Sequence, residues 1–545
     1  MDSSASLISK REYSFLKRDL RNDHIFDHVI VALVFIVAVF AYSTELIDKY
    51  STAKYYFTQL FVLMSIFIFS IKIAFKKNIV INDLAISVAI TVICSVEAIY
   101  SIFQWIPLFS FENLYPVTGH FDNPAGLIAC LCAGLPFALY VREKYMGCRF
   151  LSAVCIVVIF SAIILSSSRT GIIVAMGIIV NSILDIYHIK RCKWVTIFII
   201  IISFVVIGYY IRPQSADGRM LIWRSALNMA ADAPLVGYGL NGFSKLYMDY
   251  QASFLSNINN EAYNILADNT IFPFNEYLNL YICFGVPGYI LLVTIIVFIG
   301  FAYKRSISKE KKAALSSLLC IGFISLFSYP FKYPFTYLIC IFNIYLIVKN
   351  LVKIRINSGV RLLFLSVAIS CIPLSYIVVN KLDGEYRWKQ AYNCKDMEQY
   401  KLLLPLFEDN PSFLYNYSVE LYQNQQIDKS LEIALLCRNM LASYDLELLL
   451  GDIYFRKREY NLSEKYYIQA SKMCPCRFMP LNQLYDLYKS MGIDERALEI
   501  AIEIVNKPIK VKSRTITQIR YKMLHALEHE LDVNRKFKKV VPMKN

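Results

Sequence analysis

Arg169 lies in "ILSSSRTGIIVAM", between two apolar runs and flanked by Ser166, Ser167, Ser168, Thr170 and Gly171. The connection is too short for a solvated loop, and a charge at that depth is costly enough to require a function or a partner. A guanidinium presents a planar fork of donors that engages phosphate oxygens two at a time, so phosphate binding is the chemistry these residue types suggest. The competing reading pairs Arg169 with a carboxylate on a neighbouring helix, for which Glu97 is the candidate. Arg219 and Arg224 flank Trp223 in "GRMLIWRSALNMAADAPLVGYGLNGF". There Asp217 reads as an N-cap, Met220, Trp223, Leu227 and Ala230 share one helical face, and Pro234 ends the helix. Such a helix is expected to lie along a membrane surface, with Trp223 at headgroup level and both arginines at the depth of lipid phosphates. The competing reading makes them ordinary interfacial cations. Gly237, Gly239 and Gly242 then suit a close backbone turn.

The elements that must position these groups are apolar. Of 545 residues, 57% are hydrophobic and only 18% charged, which excludes an ordinary soluble domain. A bilayer core is crossed by about 20 helical residues, and runs of that kind fall near 27–45, 55–75, 79–107, 124–140, 149–165, 171–187, 194–211, 277–302, 313–329, 334–348 and 360–381. The first follows a basic stretch and lacks the short apolar core and small-residue cleavage site of a signal peptide, so it is expected to be retained. Cations then gather in alternate loops, at Lys76 and Lys77, at Arg142, Lys144 and Arg149, at Lys190, Arg191 and Lys193, at 304–312, and at Lys349, Lys353, Arg355 and Arg361. The positive-inside rule places the N-terminus in the cytoplasm and, with an odd number of spans, the C-terminal region outside. Because the net charge of +15 is spread over many short loops, it reads as an orientation signal and not as a nucleic-acid footprint.

The region after about 383 has a different pattern. In "LLLGDIYFRKREYNLSEKYYIQASKMCP" the residues Leu450, Gly451, Tyr454, Ser463, Tyr467, Ala470 and Pro475 fall at tetratricopeptide positions; Tyr485, Tyr488, Ala497 and Pro508 repeat them, and a poorer copy precedes them around Tyr417, Tyr422 and Leu431. Helix pairs of this kind bury their apolar faces only by stacking, which predicts about three or four pairs between 390 and 540. Cys394, Cys437, Cys474 and Cys476 lie where disulfides can form, although Cys474 and Cys476 are poorly spaced for each other. With six histidines in the chain, no metal site is expected. The predicted fold is all-α: a segment 1–26 inside, a membrane helix bundle 27–382 of about eleven spans with an outer loop 212–275, and an extracytoplasmic tetratricopeptide-like α-solenoid 383–545.

"TGHFDNPAGLIACLCAGLP" (Thr118 to Pro136), "SSSRTG" (Ser166 to Gly171), the stretch from Gly218 to Phe243 and "FPFNEYLNLYICFGVPG" (Phe272 to Gly288) occur in an order and spacing that resemble the O-antigen ligase and polymerase superfamily, which includes bacterial protein O-oligosaccharyltransferases. The resemblance covers roughly 25–380, and some members carry tetratricopeptide tails. It implies a glycosyltransferase of the bacterial cytoplasmic membrane that uses no metal, cofactor or nucleotide sugar. Its donor would be a glycan on undecaprenyl diphosphate at the outer leaflet. The acceptor would be a hydroxyl of lipid A core, of a protein Ser or Thr, or of another glycan, the last making it a polymerase. Arg169 and Arg219 match positions thought to hold the diphosphate, with Arg224 beside them. Many members have a histidine immediately before the asparagine that Asn275 matches, and that histidine is taken to activate the acceptor; here the position is Phe274, which cannot accept a proton. Glu276 is expected to act as general base in its place, with His120 as the alternative; the competing reading of Glu276 is a charge that complements the dipole of the following helix. Two other readings stand beside this one. The peptidoglycan-polymerising shape and division family is disfavoured by the tail and the motifs. A membrane scaffold with a degenerate transferase body, recruiting a protein partner through its repeats, is kept open by Phe274.

Overall fold

A computed structural model describes residues 25–75, 79, 81–106, 115–186, 213–258, 260–351 and 357–540 of the chain. Among them the regular structure is entirely helical. Helices α1 (Ile25–Phe40), α2 (Ser51–Ala74), α3 (Asp83–Trp105), α4 (Pro124–Lys144), α5 (Arg149–Leu165) and α6 (Arg169–Ile186) precede α7 (Pro213–Asp232), α8 (Gly242–Ile258) and the short α9 (Glu261–Leu266). Then come α10 (Glu276–Arg305), α11 (Lys309–Ile324), α12 (Pro334–Val348) and the 37-residue α13 (Ser358–Cys394), which runs through the expected domain boundary. Among the described residues six helices are long and apolar enough to cross a membrane, and the protein is an all-α membrane helix bundle. The expected span at 194–211 and the segment 1–24 lie outside the described residues.

Contacts divide the chain into two units: Met1–Ile211 with Phe274–Glu276 and Leu291–Gln390, and Arg212–Pro273 with Tyr277–Ile290 and Ala391–Asn545. In the first unit α4 is the central post. Asn123 caps it, accepting from the Ala125 N–H at 2.9 Å, with Pro124 in the first turn, where its missing N–H costs nothing. Side chains from Gly126 to Val141 are buried almost without interruption, as in a helix surrounded on all sides. Gly134 makes the approach of α3 possible, since a Cβ there would stand 2.3 Å from the Cys94 sulfur.

Polar contacts sort the helix ends of this unit into two sets. Asp27 with Lys72, Asp83 with Lys349, and Glu143 with Lys309 join one set. The other gathers the loop 117–123, the starts of α2 and α10 and the turn before α12, through Lys54 to His120, Asp122 to Lys332, and Glu276 to Ser325 and Phe331. The chemistry-bearing motifs of this unit are therefore at one end.

In the second unit α7 begins at Pro213, not at Asp217. Pro213 supplies the stronger start signal, and Asp217 falls inside the helix. The packed face consists of Leu221, Ser225, Ala226, Met229 and Ala230, where small residues let α8 come close. Of the face expected to lie along a membrane, Met220 and Leu227 are exposed, whereas Ala230 is buried in the packed face. The turn 233–239 grips a break in α10: Tyr238 and Gly239 donate backbone hydrogen bonds to Ile282 and Cys283 at 2.8 and 2.9 Å, and Val286 donates to Pro234. Gly285 (φ 57°, ψ −146°) forms that break, in a region essentially reserved for glycine. A Cβ at Gly237 would lie 2.5 Å from the Ile282 carbonyl oxygen, and one at Gly285 2.6 Å from that of Leu235.

Helices α14 (Met397–Phe407), α15 (Pro411–Gln423), α16 (Ile427–Arg438), α17 (Tyr444–Arg456), α18 (Tyr460–Met473), α19 (Met479–Met491), α20 (Asp494–Asn506) and α21 (Arg514–Val540) follow in the same unit. Ser418 and Ser430 exchange hydroxyl-to-carbonyl bonds between α15 and α16, and Ser463 donates to Gly451 between α17 and α18, 33 residues later. The loop 213–273 is welded to these helices. One core holds Met229, Phe243, Tyr247 and Met248 together with Tyr444, Ala470 and Met473. Gln251 donates to the Met473 carbonyl, and Arg438 holds Asp249 through two bonds and reaches Glu447, whose carboxyl burial pushes up to about 7. Cys437, Cys474 and Cys476 are buried and Cys394 is exposed.

The turn and the helix break are expected to fail together. Gly237→Ala and Gly285→Ala should each cost at least about 2 kcal/mol, from the left-handed conformation plus the collision with backbone. Gly239→Ala, at φ 79° but with open space around its Cβ, should cost only about 1 kcal/mol. Hydrogen exchange over 233–240 in the detergent-solubilised chain distinguishes the three; equal protection in all of them would refute the interlock.

Candidate functional site

His120 is held from three directions. Its backbone N–H and its ring Nδ1 both meet Glu97, at 2.7 Å each, and its carbonyl accepts from the Lys54 ammonium at 2.7 Å. Glu97 is fully buried and the imidazole about a quarter exposed. Tyr100 stacks on the ring at 4.0 Å and Phe40 meets it edge-on at 5.1 Å. With the proton on Nδ1 facing Glu97, Nε2 is the acceptor nitrogen, the arrangement in which a buried carboxylate orients a general base. Gly119, at φ 64°, makes room for it: a Cβ there would strike the Glu97 carboxylate oxygen at 1.9 Å. Glu97, the alternative partner expected for Arg169, is thus engaged by His120.

Lys54 also donates to the Ala41 carbonyl at 2.8 Å and lies over the Phe121 ring. One residue beyond His120 and Phe121 along the same loop, Asp122 takes Lys332 at 2.5 Å and the Tyr333 hydroxyl at 2.9 Å. Glu276, at the start of α10, accepts the Phe331 N–H at 3.2 Å, near the side chains of Tyr55 and Tyr337. Phe274 adopts φ 52° and packs edge-on against Tyr329 at 5.3 Å. A bulky residue rarely sits in that region. Residues 274–276, the His120 loop and Lys332 therefore share one end of the first unit.

Arg169 opens α6 at the same end, half-buried, after a turn in which Ser167 has φ 55°. Gly171 lies against Ile128 and its carbonyl accepts from the Cys132 thiol, fixing α6 on α4. Arg219 and Arg224 belong to the second unit. Arg219 is half-buried; Arg224 is exposed, donating to the Tyr263 hydroxyl at 2.9 Å with its guanidinium over that ring. Trp223 donates its indole N–H to the Pro273 carbonyl at 2.9 Å, so it ties α7 to the segment that leads into Phe274. Lys54, Glu97, Asp122 and Lys332 were not singled out as site residues from sequence. Lys54 and Lys332 lie outside the loops in which the cations gather, and this was the one available signal.

Residues 153–293 match the family model described as O-Antigen ligase. The matched stretch contains Arg169, Arg219, Arg224, Phe274, Asn275 and Glu276. It supports the superfamily resemblance and, with the apolar helices, a membrane glycan enzyme of the O-antigen ligase or polymerase type. No curated protein matches the chain.

If Glu97 and His120 act as a unit, their substitutions are not additive. Glu97→Gln keeps an oxygen for the His120 N–H but changes what the ring meets. Glu97→Gln and His120→Gln should each lower glycan transfer by about 10²-fold or more, and the double variant should be no worse than the His120 single variant. Multiplicative losses would separate the two residues.

Proposed function

We propose that the chain transfers a glycan from undecaprenyl diphosphate to an acceptor hydroxyl at the outer side of the bacterial cytoplasmic membrane. The family match at 153–293 supports the reaction class, and the observation that carries the mechanism is the buried Glu97 carboxylate on the His120 ring, which is about a quarter exposed. In this proposal Nε2 of His120 takes the proton of the acceptor hydroxyl as the acceptor oxygen bonds to the anomeric carbon. The bond from that carbon to the diphosphate breaks, and undecaprenyl diphosphate leaves with the electron pair. The imidazolium then returns its proton to solvent. Arg169 and Arg219 are the phosphate-binding residues, on the family positions they match, and neutralise the charge that grows on the leaving group. Arg224, already engaged by Tyr263, serves the loop more than the phosphate. Asn275 and Glu276 line the same end of the bundle, and Glu276, tied to the Phe331 backbone, is the second candidate for the base.

The exposed Met220, Leu227, Leu235, Val236 and Leu240 suit a loop that lies against lipid. The cation-bearing ends at Lys72, Lys309 and Lys349 suit the cytoplasmic side. The stacked tail helices, read as tetratricopeptide-like, would then stand outside and offer a surface to a protein partner.

The reading is tested by side chains that keep charge and lose shape. Arg169→Lys and Arg219→Lys should each lower transfer by about 10²-fold while the chain still reaches the membrane, because an ammonium cannot bind bidentately. Activity should survive a chelator in the parent. Full activity in both lysine variants would make the arginines interface cations. Loss in Glu276→Gln with none in His120→Gln would move the base to Glu276.

A further inference from the structure

A cleft of about 480 Å³ opens between the first half of α2 and the outer half of α13, lined by Ser51, Tyr55, Tyr56, Gln59, Lys381 and Glu385 among others. That volume is within the range of pockets that hold small molecules, roughly 300–1,000 Å³, and like most such pockets the cleft is lined mainly by apolar surface, Ile377 and Val378 included. Hydroxyl, amide, ammonium and carboxylate groups are set into that surface, with two phenol rings. Glu385 is only 4% exposed, and among the described residues its Oε2 meets no hydrogen-bond donor. An acceptor atom buried without a partner is destabilising, more so when charged, and a ligand donor would recover that loss.

The cleft adjoins the proposed reaction centre. The phenols of Tyr55 and Tyr337 both lie near Glu276. Ser51 is one turn from Lys54, which holds the His120 carbonyl. A saccharide has hydroxyl edges and C–H faces; carboxylate, amide and hydroxyl side chains suit the edges, and the rings of Tyr55 and Tyr56 suit the faces.

We propose that this cleft binds a sugar of the acceptor, with Glu385 accepting hydroxyl hydrogen bonds and the tyrosines packing on the ring. The proposal deepens the transferase reading and rests on it for the word acceptor. The test measures saturation transfer from the full chain, reconstituted in lipid nanodiscs, to the soluble oligosaccharides chitotriose and maltotriose, with no donor present. At least one should bind the parent. Glu385→Gln should weaken it about ten- to a hundredfold, the worth of a hydrogen bond to a charged group. Gln59→Trp, which fills the cleft from its exposed rim, should abolish it. No contact in the parent, or equal contact in both variants, would overturn the proposal. So would competition by inositol hexakisphosphate that depends on Lys381 and leaves Glu385→Gln unaffected, since this would mark an anion site. Sugar binding without any glycan transfer by the parent would leave the subsite standing and refute the transferase reading instead.

Discussion

The ammonium of Lys54 is 1% exposed, and the carbonyls of Ala41 and His120 are its hydrogen-bond acceptors. A charge removed from water in this way must be satisfied, and each of its bonds fixes a piece of backbone. The first fixes the end of α1 and the second fixes His120. On the other side of the same residue, buried Glu97 takes the backbone N–H and the ring. One residue is thus clamped between a buried cation and a buried anion on two different helices. The neighbouring pair, Asp122 with Lys332, brings the turn before α12 to the same place. If either Lys54 or Glu97 were apolar, the loop 117–123 would lose the contacts that hold the imidazole with about a quarter of its surface exposed.

The second unit rests on a constraint of backbone and not of charge. Gly237 and Gly285 approach carbonyl groups so closely that neither position can hold a side chain, and the three hydrogen bonds between the turn and the helix break depend on that approach. The result joins two of the sequence motifs, the one that ends at Phe243 and the one that starts at Phe272. Trp223, bonded to Pro273, makes a second junction between the same motifs. The loop is also continuous with the core of the tail helices through Tyr247, Tyr444 and Met473, so a change in the tail has a rigid route to the loop.

Much of this was legible from residue types. Helices follow from apolar runs: ten of the eleven expected runs fall on described helices, of which six are long and apolar enough to cross a membrane. The glycines announced a close turn, and Ser463 announced the seam against Gly451. The pairing of Glu97 with His120 was not legible, because the residues are 23 positions apart on different elements and a buried carboxylate inside an apolar run has several possible partners. Of the α7 face expected to lie along a membrane, Met220 and Leu227 are exposed, whereas Ala230 joins the packed face with Leu221, Ser225, Ala226 and Met229. Asp217 lost its role as a cap because Pro213 starts the helix a turn earlier. Phe274, met as the absence of a histidine, sits in a left-handed conformation against Tyr329, which residue identity does not report.

The most direct measurement is the stoichiometry of the reaction in liposomes that contain the purified chain, a lipid-linked glycan on undecaprenyl diphosphate and detergent-extracted envelope as acceptor, with EDTA present. The account predicts that undecaprenyl diphosphate appears in equal amount with newly glycosylated acceptor, and that Lys54→Met, which releases the His120 loop, retains the donor but slows this release by at least about 10²-fold. Donor lipid that stays intact in the parent, or transfer that proceeds unchanged in Lys54→Met, would contradict it.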